Sequence, residues 1–190
     1  MDLPAINPIL ETSKAFMAYA TAISDSWGGC SVLRSADEGQ TYINIAEIVT
    51  GATVGVVDVP SVVGSSLLVD ESTRLQLRLI QGEFVGLGET DFWAGRGLVA
   101  YGDESSGWEL LWYRDVYDLG GGLYELGYLL RGVWGTEWAI AGHTPGGQVV
   151  LLDTAGKTMF TPSNSVGVEY LYKGVSLELS VDEVDEESFT

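Results

Sequence analysis

Short apolar runs separated by glycine-rich turns dominate this sequence. The 190 residues include 25 glycines but only five prolines, and 46% of all residues are hydrophobic. Glycine adopts the backbone conformations that tight turns require, and all-β proteins join many short strands through such turns. The pattern therefore predicts a mainly β protein with antiparallel, sandwich-like sheets and one or two short helical turns.

Individual strands follow from apolar alternation. In the stretch 74–79, Leu75, Leu77 and Leu79 are expected to point inward and the intervening polar residues outward. A helical turn is predicted at 90–94, capped by Thr90 or Asp91. The stretch 14–23 fits a helix or a strand, and its alternation favours a strand. Further strands are predicted at 30–35, 41–48, 97–102, 108–116, 123–131 and 148–153, with a last hairpin from 166–172 and 175–181 around Lys173-Gly174.

The length permits one large domain or two small ones. We expect a β-rich module over 1–181, either undivided or split into subdomains at about 1–85 and 86–181. The last stretch, 182–190, has five carboxylates in its first six residues. Such a run is typical of a solvated acidic tail.

The segment 123–153 is predicted to contain two strands joined by a short helical turn and a glycine-rich loop. It begins with an apolar and aromatic run typical of a buried strand, and Arg131 is expected to end that strand. A helix start is predicted next, where Thr136 caps free backbone amides and Glu137 places a negative charge in the first turn. Glycines and a proline end this turn, and a second strand follows.

This segment resembles a signature of tail-tip proteins of siphophages and gene transfer agents, the "megatron" or host-specificity baseplate proteins. The matching residues are Leu129–Gly132, Gly135–Ala139, His143, Gly146 and Val150–Asp153. The resemblance extends weakly over most of the chain, although Val133 stands where the family usually has a basic residue. Family members are much longer, which implies that this chain is an excised or separately encoded piece. The resemblance also implies that the chain is a component of a virion rather than an enzyme.

A second resemblance lies at Ser35-x-Asp37-x-Gly39-x-Thr41-Tyr42, which is similar to the "Asp box" hairpin of sialidase-type propellers. The spacing lets the Asp37 side chain accept backbone amides across the turn, while Gly39 adopts a positive φ. The box is structural in that family and implies no catalysis. One copy makes no propeller, because a propeller needs repeats.

Charge and cysteine content exclude several classes. The formal charge of −18 argues against nucleic acid and anionic membranes as partners, since phosphate binding requires basic patches. We expect no cofactor and no metal, with calcium binding as an alternative interpretation of the acidity.

The single cysteine, Cys30, excludes an internal disulfide and is expected to be a core residue. No signal peptide or membrane span is predicted.

Two groups of residues are candidates for catalysis. His143 is the only histidine and has no neighbouring cysteine or histidine, so it is expected to hold the loop 142–147 by hydrogen bonds rather than to bind zinc. Asp103 and Glu104 are adjacent, and adjacent strand residues face opposite ways, which disfavours a glycosidase pair. We interpret them as turn acids that bond backbone amides or Arg131, and we predict no catalytic residue.

Aromatic residues are the remaining candidates for contact with other molecules. Trp108 and Trp112 are expected in the core with Leu110, whereas Trp134, Trp138 and Tyr128 are candidates for glycan or partner contact. Core packing remains the alternative for both Trp134 and Trp138.

These residues lead to two functional hypotheses. The first, which the family resemblance implies, is a non-enzymatic structural module of a virion tail tip, assembled in the bacterial cytoplasm, with other baseplate proteins as partners and a role in host attachment. The second is a carbohydrate-binding module that contacts host surface polysaccharide.

Overall fold

The structure, a computed structural model, describes residues 3, 15–22, 27–62, 64–161, 168–177, 179–185 and 187–189. These residues form antiparallel strands and a few short helices joined by turns and loops, which confirms the predicted mainly β fold. The strands are β1 Ala15–Ala18, β2 Cys30–Ser35, β3 Ile43–Ile48, β4 Val54–Val57, β5 Leu75–Gln81, β6 Leu98–Asp103, β7 Gly107–Trp112, β8 Asp115–Gly120, β9 Leu123–Gly127, β10 Gly147–Leu151, β11 Lys157–Phe160, β12 Tyr170–Ser176 and β13 Glu187–Phe189. The helices are α1 Glu89–Trp93 and three 3-10 turns, η1 Val133–Gly135, η2 Glu137–Gly142 and η3 Val181–Glu183.

The chain divides into two compact units. The first comprises Ala52–Asp153 together with Met1–Pro4, and the second comprises Ala5–Gly51 and Thr154–Thr190. This division differs from subdomains at 1–85 and 86–181, because the second unit is assembled from two segments that flank the first. Pairing of β12 with β2 joins these distant segments.

A seven-stranded antiparallel sheet forms the first unit, in the order β7-β6-β10-β4-β5-β9-β8. The sheet closes on itself through Trp112 at the end of β7 and Leu130 beyond β9. Their backbones exchange two hydrogen bonds of 2.9 Å each, from each amide to the other residue's carbonyl. Closure pairs backbone groups that an open edge would leave unpaired.

The core of the first unit consists of inward-facing residues from this closed sheet. Leu75 and Leu77 of β5 are buried as their alternation predicts, while Gln76 and Arg78 between them are exposed. Facing strands contribute further apolar side chains to the same cluster, namely Val57, Val99, Leu111, Leu126 and Val149. The side chains of β7 also point alternately to its two faces, but both faces are buried, and Glu109 lies on the face that carries Leu111.

The second unit contains a four-stranded sheet, β13-β12-β2-β3, and a two-stranded sheet, β1-β11. Both sheets contribute to one core cluster, in which Met159 of β11 lies with Val32 of β2 and Tyr172 of β12. Cys30 is buried in this cluster, as predicted.

Four local predictions are corrected. The stretch 108–116 is two strands, because β7 ends at Trp112 and β8 begins at Asp115. Lys173-Gly174 lies inside strand β12, and no turn divides it. The helix α1 begins after Gly88, without a side-chain cap from Thr90 or Asp91. In the acidic stretch 182–190, β13 pairs with β12, so this part of the expected tail belongs to a sheet.

Some predicted features lie partly outside the described residues, namely 14, 23, 166–167 and 178 in three predicted strands and 186 and 190 in the predicted acidic tail. Within the described part of the chain, no helix is both long enough and apolar enough to cross a membrane.

Candidate functional site

The most unusual feature of the first unit is a buried charge network. Glu109 lies on β7, Arg131 follows β9 and His143 follows η2, and all three side chains are shielded from solvent. A carboxylate and a guanidinium are almost never fully buried unless they are paired. The network therefore ties three separate chain segments together at one point of the fold.

The Glu109 carboxylate accepts four hydrogen bonds. One oxygen, Oε1, accepts from Arg131 Nε at 2.6 Å and from the Gly132 amide at 2.9 Å. The other, Oε2, accepts from Arg131 Nη2 at 2.6 Å and lies 2.7 Å from His143 Nε2. Because an ionised carboxylate only accepts, the His143 contact places a proton on Nε2.

Two further residues, Tyr101 and Ser61, contact this network. The Tyr101 ring stacks on His143 with a centroid separation of 3.7 Å. Arg131 Nη2 donates to the Ser61 carbonyl at 3.0 Å, and Arg131 Nη1 donates to the Ser61 hydroxyl at 3.2 Å. The loop after β4 thus accepts hydrogen bonds from the two terminal nitrogens of the Arg131 guanidinium.

Electrostatics favour the ionised form of this carboxylate. Burial raises the pKa of Glu109, but hydrogen bonds from His143 and Arg131 and the Arg131 charge lower it by more, so its pKa lies below its usual range. Burial raises the pKa of Tyr101 to about 12. Glu109 is thus a charged hydrogen-bond acceptor whose lone pairs are already engaged, an arrangement suited to joining segments rather than to accepting a substrate proton.

This geometry corrects the expected partner of Arg131, which pairs with Glu109 and not with Asp103 or Glu104. The hydrogen bond between His143 and Glu109 anchors the loop 142–147 to β7, in line with the expectation that His143 holds this loop by hydrogen bonds. Glu109 was missed from the sequence, although a single acid inside the apolar run WELLWY was a usable signal, because a buried strand carries a charge only where a partner meets it.

Asp103 is a turn acid, as predicted. Its Oδ1 accepts from the backbone amides of Ser105 and Ser106 at 2.8 Å each, and its Oδ2 accepts from the Thr144 hydroxyl at 2.9 Å. These hydrogen bonds, with that from the Ser105 hydroxyl the largest, hold the pKa of Asp103 well below its usual range. Asp103 therefore connects the β6–β7 turn to the segment that follows η2, while Glu104 is exposed.

Thr136 does not cap a helix, which corrects another prediction. It precedes η2, but its side chain accepts no hydrogen bond from the backbone amides of that turn. Its hydroxyl instead accepts the Leu110 amide of β7 at 2.9 Å and donates to the Val133 carbonyl at 2.9 Å. Glu137 does lie in the first turn of η2, and Gly135 ends η1. Thr136 thus joins the two 3-10 turns to the outer face of β7.

The tryptophans separate into buried and exposed groups. Trp108 is buried, and Trp112 lies at ring-edge distance from Phe92 of α1, 6.0 Å between centroids. Trp134 and Trp138 are exposed over 46% and 66% of their surfaces, respectively. Core packing therefore does not account for these two rings.

Tyr128 is already engaged inside the first unit. The Arg114 guanidinium lies 3.5 Å from its ring centroid, and Phe92 meets its ring edge-on at 5.3 Å. Its φ of 55° is uncommon for a residue with a side chain, and it interrupts the pairing of β9. These contacts leave Tyr128 half-buried, and it is a weaker candidate for external contact than the two exposed tryptophans.

The Asp-box turn between β2 and β3 has the geometry that its spacing predicts. Asp37 Oδ1 accepts the Thr41 amide at 2.9 Å, Asp37 Oδ2 accepts the Thr41 hydroxyl at 2.6 Å, and Gly39 has a φ of 83°. Hydrogen bonds from Thr41 and Ser35 lower the pKa of Asp37 to about 2. Because every contact is local, this turn organises a hairpin and forms no cavity.

Metal coordination requires several donor side chains to converge. Among the residues that the structure describes, no three histidine, cysteine or acidic side chains are grouped so that they could hold a metal ion. The convergent polar groups of the first unit are instead those around Glu109.

Fold and site together define a small antiparallel β module with a buried network of Glu109, Arg131 and His143. The chain belongs to the Rcc01698-like, C-terminal family, whose model matches residues 52–150. This range is more than half of the chain and falls within the first compact unit. No curated protein matches the chain.

Proposed function

We propose that this chain is a structural, non-enzymatic module of a phage or gene-transfer-agent tail tip that takes part in host attachment. It would be assembled in the bacterial cytoplasm and carried in the virion beside other baseplate proteins. The proposal starts from the resemblance of the segment 129–153 to tail-tip proteins. Membership of the Rcc01698-like, C-terminal family is compatible with it.

The observation that carries the structural role is how the residues of this segment are used. Arg131, Thr136 and His143 are buried and bond to β7, whereas Trp134 and Trp138 of the same segment face solvent. Reactive side chains of an enzyme must reach a substrate. Here the polar side chains stabilise the module, and the aromatic ones remain available for contact with other molecules.

Immunogold electron microscopy of particles from a producing strain tests this role. The strain would carry the chain with a small C-terminal epitope, and a second strain with an epitope on the major capsid protein serves as control. We expect gold at the tail tip for the first strain and over the head for the second. Particles that carry heads and tails but no label from the tagged chain contradict the proposal.

A carbohydrate-binding module that contacts host surface glycans is the second candidate. The two exposed tryptophans favour it, because exposed aromatic faces pack against the apolar faces of sugar rings. Binding of the purified chain to host cells and to their extracted polysaccharide, with and without calcium, tests this candidate. Saturable binding supports glycan contact, and binding that requires calcium shows a role for that ion, whereas no binding leaves the structural role alone.

A further inference from the structure

We infer that Trp138 is a stacking platform for a neutral saccharide, with Trp134 as a second aromatic contact. This inference rests on the glycan-contact candidate above and deepens it by naming the residues and the ligand class. It is carried by the packing of the two rings and by the polar groups around them.

Trp138 is held in place although most of it is exposed. Gly107, in the β6–β7 turn, has a φ of 82°, and a Cβ added there would lie 2.6 Å from an atom of the Trp138 ring. The ring therefore rests against the Gly107 backbone while 66% of the residue remains exposed. The next two residues, Ala139 and Ile140, are buried and anchor this turn. A ring fixed in this way loses little conformational entropy when a ligand stacks on it.

Trp134 projects from the same short segment, four residues earlier. Its backbone has φ 58° and ψ 33°, a left-handed conformation that residues with side chains rarely adopt. Strained backbone at an exposed aromatic residue is a feature of binding sites, where the fold maintains an otherwise unfavourable orientation. Thr136, between the two tryptophans, bonds to Leu110 and fixes the segment to β7.

Polar groups next to Trp138 suit the hydroxyls of a sugar. The turn that carries Gly107 also carries Asp103, whose bonds to Ser105, Ser106 and Thr144 keep it rigid. Glu104 in this turn and Glu137 beside Trp138 are exposed carboxylates. Carboxylates accept hydrogen bonds from sugar hydroxyls, as aromatic rings accept the C–H faces of the sugar.

Charge restricts the ligand to neutral sugars. The sequence has no lysine or arginine at 97–113 or 132–153, the two stretches that carry Gly107 and the two tryptophans, and the whole chain carries −18. An acidic polysaccharide would meet repulsion from Glu104 and Glu137 without a compensating cation in these stretches. A protein partner is less well matched, because the central part of a protein interface is depleted of charged residues.

Affinity electrophoresis of the intact chain in native gels tests this inference. The gels would contain one of three neutral polysaccharides, dextran, mannan or hydroxyethyl cellulose, or the acidic polymers alginate or polygalacturonate. A chain with a pI near 4.1 migrates freely to the anode at pH 8, so retardation reports binding. We expect retardation by at least one neutral polymer and by neither acidic one. Trp138→Ala should weaken that binding about tenfold, the effect of losing one aromatic stacking contact.

Matched variants distinguish a site from general loss of structure. Trp93→Ala removes another exposed tryptophan of the same unit, 53% exposed on α1, and should bind as the wild type does. Trp138→Phe keeps an aromatic face and should retain part of the affinity. Melting temperatures of all variants are measured in parallel, so that a misfolded variant is recognised.

Three results overturn the inference. They are no retardation by any of the three neutral polymers, stronger retardation by an acidic polymer, and a folded Trp138→Ala variant that binds like the wild type. None of these results bears on the tail-tip location, which the immunogold experiment tests separately. A chain located at the tail tip that binds no neutral polymer keeps its structural role and loses the saccharide site.

Discussion

At the scale of single residues, Glu109 connects the most parts of the fold. Four donors converge on its carboxylate, and two of them belong to one guanidinium in a bidentate pair. Replacing both partners of such a pair by apolar groups changes the free energy of unfolding little. Removing only one partner, however, leaves the other charge buried and without its counter-ion. The network therefore makes the fold sensitive to single changes at Glu109 and Arg131.

Glu109→Gln should lower the free energy of unfolding by about 3–5 kcal/mol, because an amide NH₂ would face the Arg131 and His143 donors and leave the guanidinium unpaired. Denaturation followed by tryptophan emission measures this, since five of the six tryptophans lie in the first unit. The control Glu104→Gln changes an exposed carboxylate and should shift stability by less than about 0.5 kcal/mol. Equal effects of the two variants would contradict a structural role for the network.

Thr136→Val should also destabilise the first unit, by about 1–3 kcal/mol, because the buried Leu110 amide would lose the hydroxyl that accepts its hydrogen bond. Thr136→Ser retains the hydroxyl and should lose much less. The same denaturation experiment compares the two variants. A serine variant as unstable as the valine variant would show that the methyl group, and not the hydroxyl, stabilises this contact.

At the scale of elements, local hydrogen bonds determine turns and left-handed residues interrupt strands. The Asp box closes the β2–β3 hairpin within seven residues, from Ser35 to Thr41. In β9, by contrast, the apolar run continues past Gly127, but the left-handed Tyr128 breaks the ladder and lets Leu129 and Leu130 pair with other segments. A single backbone conformation thus converts an expected long strand into a strand and a bridge.

Gly39→Val should open the Asp-box hairpin, because a β-branched residue at a φ of 83° is strained by roughly 1–2 kcal/mol. Hydrogen exchange of the Thr41 amide, which donates to Asp37, should become faster than in the wild type. Gly174→Val is the matched control, since a Cβ at this position in β12 meets nothing within 4 Å. Unchanged exchange in Gly39→Val would mean that the turn tolerates the side chain.

At the scale of the whole molecule, strand pairing separates the two units. Every strand of the seven-stranded sheet lies within 52–153, and the core of that sheet comes from the same stretch. The second unit must instead bring together two segments that are separated by the whole first unit. Closing such a long connection costs conformational entropy before any contact forms.

The fragment 52–153 should therefore fold alone, whereas the flanking segments depend on each other. We expect a cooperative thermal transition and a β-type circular dichroism spectrum for the isolated fragment. Its tryptophan emission maximum should match that of the intact chain, which has only Trp27 outside this range. A spectrum typical of an unfolded chain would show that the first unit requires the second.

Much of the fold was readable from sequence where interactions are local. The strand 30–35 before the Asp-box turn was predicted at the observed bounds of β2, apolar alternation predicted the inward leucines of β5, and residue spacing predicted the Asp-box bonds. Those features depend on neighbours within a few residues, which the sequence places together regardless of the fold. The same reasoning was wrong for 108–116 and for Lys173-Gly174, because whether a strand breaks or continues depends on which strands lie beside it.

The sequence by itself therefore determined the class of fold, the strand pattern and the local turns of this protein. Only the tertiary structure decided that Arg131 pairs with Glu109, 22 positions away, that Trp112 meets Leu130 to close the sheet, and that Trp134 and Trp138 face solvent. Partner choice over such separations is set by strand register, and exposure is set by which elements cover a side chain. Both properties arise from the packing of distant segments and are not encoded in the spacing of neighbouring residues.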